Sequence, residues 1–115
     1  MRKYIEPSNY DVFYLHTYMP LLKQSKQEVK RILAKLIAKH PTDGKKVREY
    51  LIKSTLDSWL KSRQYKNLVY MLHVSAMNMA KPGMDERLFK EALESIHKKV
   101  KNAVVRMVNA RYYVV

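Results

Sequence analysis

Glu94-Ser95-Ile96-His97 is the single Glu-x-x-His pair in the chain, the spacing that turns two metal ligands toward one face of a helix. A di-iron bundle needs two such pairs and two further glutamates, and the sequence lacks the second pair, so a solvated Glu and His on a polar face is expected. His16, His40 and His73 stand alone. His40 precedes Pro41 at an expected helix end, where the dipole alone favours a cation. No Ser/His/Asp grouping, paired-carboxylate motif or Gly-rich phosphate loop is present, and 2 glycines in 115 residues leave no room for a P-loop or dinucleotide fold. With no Cys, disulfides and thiolate metal sites are excluded. The chain is read as a non-enzyme without metal or cofactor.

The chemistry that remains is that of cations toward phosphate. Lys and Arg total 23 against 10 acids, a formal charge of +13. Solubility asks for a net charge of only about 2 to 8 in a small domain, so the excess points to a polyanion. Sixteen of the 23 are Lys, which acts as a point charge toward phosphate, whereas Arg reads guanine edges bidentately. The bias favours backbone binding with little sequence selectivity.

The charge is unevenly placed. Residues 1–19 hold two basic and two acidic residues, residues 20–66 hold 13 and 4, and residues 67–115 hold 8 and 4. Arg31, Lys35 and Lys39 recur at i, i+4 and i+8 opposite Leu33 and Leu36, forming a basic ridge that continues through Lys45, Lys46 and Arg48. After Glu94 no acid occurs, which leaves Lys98, Lys99, Lys101, Arg106 and Arg111 unopposed. The candidate nucleic-acid contacts are therefore Arg31, Lys35, Lys39, Lys45, Lys46, Arg48, Lys98, Lys99, Lys101 and Arg106.

The elements that must carry these cations are helices. Apolar residues make up 47% of the chain, enough for one packed core, and 2 Gly with 4 Pro fit a few long helices better than a turn-rich sheet. Tyr10, Tyr14 and Tyr18 share helical spacing with Leu21 and Leu22, with Ser8 or Asn9 as cap and Pro20 as end or kink. Ser25-Lys26-Gln27-Glu28 has the form of a capping box and predicts a new helix start. Val29, Ile32, Leu33, Leu36 and Ile37 follow, up to a turn at residues 40–44 whose Thr42 or Asp43 caps the next helix. From Lys45 to Lys61 the apolar register slips near Ser54-Thr55, which predicts one bent helix or two short ones. Tyr65 to Ala80 is helical, and Lys81-Pro82-Gly83 breaks it. The last helix, Asp85 to Asn109, carries Phe89, Leu93, Ile96, Val100, Ala103 and Met107 in 4-3-4-3-4 steps, flanked by Leu88, Ala92, Val104 and Val108. The expected fold is all-α, a single domain over residues 1–115. It is a small four- or five-helix antiparallel bundle with a long C-terminal helix, an aromatic N-terminal arm or helix at 1–19 and an apolar tail at 110–115.

A helix-turn-helix reading places a turn at Ser62-Arg63-Gln64 and a recognition helix at Tyr65 to Leu72, with Gln64, Lys66 and Asn67 facing the groove. The aromatics of residues 1–19 lie away from the cations and read as core or subunit contact, and the seven Met read as core filler. Val105, roughly opposite Ile96, and the ending Arg111-Tyr112-Tyr113-Val114-Val115 make the C-terminus apolar on more than one side.

The residues together predict a structural nucleic-acid-binding protein that holds a phosphate backbone, as a homo-oligomer or as a subunit of a larger assembly such as a nucleocapsid or a ribonucleoprotein complex. A dimeric DNA-binding regulator is the alternative, and a module for an acidic protein or anionic membrane surface the third. No apolar h-region follows the basic N-terminus and no run reaches membrane-span length, so an intracellular or virion location is expected.

Overall fold

The computed structural model describes residues 9–39, 45–80 and 83–112, all of them helical apart from short turns. Five α-helices follow in order: α1 (Asn9–Phe13), α2 (Met19–Lys39), α3 (Lys45–Leu60), α4 (Arg63–Met79) and α5 (Asp85–Tyr112), with a π turn (Tyr14–Tyr18) between α1 and α2. The helical backbone runs unbroken from α1 through the π turn into α2, since Phe13 and Met19 both keep right-handed helical dihedrals. The described chain thus forms four continuous helices, and all-α architecture with a long last helix holds. At ~1.5 Å per residue, the 28 residues of α5 span about 42 Å.

Residue contacts fix the topology. Tyr18 meets Ser95, and Met19 and Lys30 share a groove with Ala103 and Met107, so the first helical rod runs parallel to α5. Arg48 meets Asn109, Trp59 and Tyr65 meet His97, and His73 meets Phe89. Along α5, then, α3 and α4 lie one after the other, both antiparallel to it. Four helices therefore make a bundle of three rods, each touching the other two, with the α3–α4 rod broken at Lys61-Ser62. The molecule is accordingly long and flat, 57 × 31 × 18 Å.

Two boundaries differ from the sequence expectation. Ser25 does not cap a helix: it is buried in mid-α2 and donates its hydroxyl to the Leu21 carbonyl at 2.8 Å. Leu22, Ser25, Val29 and Leu33 all face the core, so one more turn of packing outweighs the local capping option. Nor does Pro20 end the helix. Its ring clashes with the carbonyl four residues back in a regular α-helix and it offers no N–H. The π turn ahead of it widens the backbone, and the Met19 N–H reaches back to the Tyr14 carbonyl. The extra residue shifts the aromatic stripe, so Phe13, Thr17 and Tyr18 enter the core while Tyr14 is half-buried.

In α3 the register slip has a simple origin. The helix is single, and its buried row is Leu51, Thr55 and Trp59, with a hydroxyl where an apolar residue is expected. On α5 the most buried row is Leu88, Ala92, Ile96, Val100, Val104 and Val108, all at i+4. Phe89, Leu93 and Met107, expected as the centre, pack half-buried beside it. An i+4 row winds obliquely around a helix, which suits α5 because its partners change from α4 to α3 along its length. Ser62 caps α4, accepting from the Tyr65 N–H at 3.1 Å while donating to the Trp59 carbonyl at 2.6 Å. At the next break, Gly83 takes φ +88°, a left-handed conformation that side chains disfavour. The turn at residues 40–44, the Ser8 cap, Lys81, Pro82 and the tail beyond Tyr112 lie outside the described residues.

Candidate polyanion interface

Helix α2 carries six cations and one acid in 21 residues. Helical spacing divides the cations between two flanks. Lys23, Lys26 and Lys30 lie toward α5, and Arg31, Lys35 and Lys39 lie on the outer flank.

The first flank meets α5 across a groove of about 460 Å³ lined by Met19, Leu22, Lys23, Lys26, Gln27, Lys30, Ala103, Arg106 and Met107. Its floor is apolar and its walls are cationic. Among the described residues no acid and no member of α3 or α4 lines it, so it opens on the side of the molecule away from those helices. About one turn before Ala103 on α5, Lys99 Nζ stands 5.3 Å from the centre of the Tyr18 ring. That placement is a cation–π contact that leaves the exposed ammonium available to solvent. Lys23, Lys26, Lys30, Lys99 and Arg106 therefore form one positive strip across two parallel helices.

The structure divides the residues expected from the sequence. Lys99 and Arg106 belong to this strip, whereas Lys98 and Lys101 are exposed on another flank of α5. On the outer flank of α2, Lys35 and Lys39 are exposed, and Arg31 bonds Glu28 at 2.9 Å, which removes part of the ridge's charge. The ridge and the Lys98/Lys101 flank are thus separate from the groove. Arg48 is not a free surface cation: it is half-buried and donates from Nη2 to Asn109 Oδ1 at 2.8 Å, tying α3 to the end of α5. The side chains of Lys45 and Lys46 lie outside the described residues. Lys23, Lys26 and Lys30 were missed by sequence reasoning. Their i, i+3, i+7 spacing was readable, but their partner Arg106 stands some 80 residues away, and nothing local marks the two as neighbours.

Gln64 and Asn67, expected on a recognition helix, line a cleft of about 220 Å³ with Gln24, Gln27, Glu28 and Arg31. Lys66 is exposed on a different side of α4. Val105, expected as a second apolar side of α5, is half-buried and borders a shallow hollow with Asn102, Arg106, Asn109 and Ala110.

His97 is not a solvated surface histidine. It stacks on Tyr65 at 5.4 Å between ring centres, meets the Trp59 ring edge-on, and places Nε2 2.6 Å from the Tyr65 hydroxyl. Burial lowers its pKa below the ordinary histidine value, only partly opposed by Glu94, and burial raises that of Tyr65. The cluster fills the joint where α3 stops and α4 begins. Among the described residues no three His, Cys, Asp or Glu side chains group as a metal site, and no helix is long and apolar enough to cross a membrane.

Comparison of the chain with protein-family models, with curated proteins and with solved structures gives no match.

Proposed function

We propose that the protein binds the phosphate backbone of a nucleic acid along the α2–α5 groove, with little dependence on base sequence. The observation that carries this reading is the groove itself, with Lys23, Lys26, Lys30 and Arg106 around one opening and no carboxylate lining it among the described residues. Cations held together without acids have their main use in neutralising a regularly charged polymer. Four of the five strip residues are Lys, which fits charge neutralisation rather than base reading. The strip also draws on rigid helices, so its spacing is preset before the ligand arrives. Lys35, Lys39, Lys98 and Lys101 add general attraction from neighbouring faces.

A second reading, a duplex-specific regulator, draws on the cleft where Gln64 and Asn67 stand beside Arg31, since carboxamides and guanidinium are the side chains that read base edges.

Binding of fluorescent single-stranded DNA, random duplex DNA and RNA separates these readings. Changing Lys23, Lys26, Lys30 and Arg106 to Gln is expected to weaken binding by at least tenfold on every sequence. Changing Lys35 and Lys39 to Gln is expected to have a smaller effect. A ridge variant that weakens binding more than the groove variant overturns the site. Failure of all three nucleic acids to bind at about 50 mM salt, where phosphate contacts are strong, overturns the function in favour of an acidic protein or an anionic membrane surface.

A further inference from the structure

The outer face of α4 has no use in the groove and points the opposite way. Tyr70, Val74 and Met77 recur there at i, i+4 and i+7, with Tyr70 64% and Met77 58% exposed. Arg63 and Lys66 lie at the N-terminal end of this face. Beyond Tyr70 its flank carries an acid supplied by a different helix, because Glu86, exposed in the first turn of α5, sits 3.9 Å from the half-buried His73 imidazole.

These charges have a defined symmetry about Tyr70. Lys66 lies four residues before it, about 6 Å along the axis, and His73 lies three residues after it, about 4.5 Å. Lys66 and His73 are seven residues apart and so share a flank of the helix, the flank against which Glu86 rests. A two-fold axis passing beside Tyr70, across the helix, preserves the flank and reverses the direction. It therefore sets the Lys66 of one copy against the Glu86 of the other, twice, around a centre of Tyr70, Val74 and Met77. A parallel pairing instead gathers both copies' Arg63 and Lys66 at one end, where like charges repel.

We propose that this face is an isologous interface, on which α4 pairs antiparallel with α4 of a second copy of the chain. Because the α2–α5 groove opens on the side away from α3 and α4, the two grooves of the pair face outward. The pairing does not depend on what the grooves bind.

Sedimentation velocity of the full chain, free of nucleic acid, across a wide concentration range tests it. The unmodified chain is expected to sediment as a monomer–dimer equilibrium. Tyr70→Asp with Met77→Asp is expected to sediment as monomer, with its helical circular dichroism unchanged because both side chains are exposed. Lys66→Glu is expected to weaken the dimer by about tenfold or more, by setting acid against acid. Adding Glu86→Lys to Lys66→Glu is expected to restore it. An unmodified chain that stays monomeric throughout, a dimer indifferent to Tyr70 and Met77, or a double charge reversal no better than the single one would each overturn the interface.

Discussion

The Thr55 hydroxyl is fully buried in the middle of the α3 row, and its Oγ1 has no hydrogen-bond partner among the described residues. A buried polar group left unpaired costs about 1–3 kcal/mol, and Val has the same shape without the hydroxyl. Thr55→Val is therefore expected to stabilise the fold by about 1 kcal/mol, seen as a higher urea midpoint at unchanged slope. An unchanged or lower midpoint contradicts the reading of Thr55 as unsatisfied. His97 makes a second residue-scale prediction. Burial lowers its pKa in the folded chain below the ordinary 6.5, so between the two values the unfolded chain holds more protons. Its contribution is complete above about pH 6.5 and is lost as pH falls toward the folded pKa. Urea midpoints at pH 7.5 and pH 5 are expected to differ more for the unmodified chain than for His97→Gln. Equal differences contradict it.

At the scale of the element, two local signals misled in opposite ways. Pro20 read as a helix end or kink and the Ser25-x-x-Glu28 pattern as a helix start, yet the chain runs helical from Asn9 to Lys39, with a π turn ahead of Pro20. Capping rules describe orphan amides, and where core contacts extend the helix there are none to satisfy. The slip at Thr55 read as a bend because apolar periodicity treats any hydroxyl as a polar position, even one at the centre of a buried row. By contrast the break at Ser62 was legible, since Ser62-Arg63-Gln64 interrupts the apolar pattern and Ser is a preferred cap. Ser62 both accepts from Tyr65 and donates to the Trp59 carbonyl, at the joint of α3 and α4. Ser62→Ala is expected to cost about 1 kcal/mol, measured by urea denaturation. A loss within error contradicts its role as the cap of α4. The cationic rows followed the same pattern of legibility. Each was visible as a spacing on its own helix, but which rows face each other depends on topology, and the spacing of one helix carries no information about its neighbour.

For the whole molecule, the all-α class and the length of the last helix followed from few Gly and Pro and from a long apolar period. The arrangement did not follow. A count of four or five helices does not reveal that two of them lie end to end, which makes the bundle one of three rods, 57 × 31 × 18 Å in extent. The bundle separates two surfaces: the cationic groove between α2 and α5 on one side, and the apolar face of α4 on the other. Pairing through α4 presents two outward grooves on one particle. Where a single polymer reaches both, the second groove binds at a raised effective concentration, so overall affinity exceeds that of one groove without any new contact. On this account the monomeric Tyr70→Asp, Met77→Asp variant is expected to bind long nucleic acid more weakly than the unmodified chain, and short oligonucleotides, which fit one groove, equally well. Equal binding of both lengths contradicts a link between pairing and affinity.

The central claim is that Lys23, Lys26, Lys30 and Arg106 neutralise phosphates, and the dependence of affinity on salt measures this directly. For duplex DNA the logarithm of the binding constant falls against the logarithm of salt by about 0.9 for each phosphate contact. The unmodified chain is expected to give a steep line, the same for random and defined sequences. Changing all four residues to Gln is expected to flatten it by about three to four units of slope at unchanged helical content. An identical slope in the unmodified chain and the fourfold variant would contradict the account.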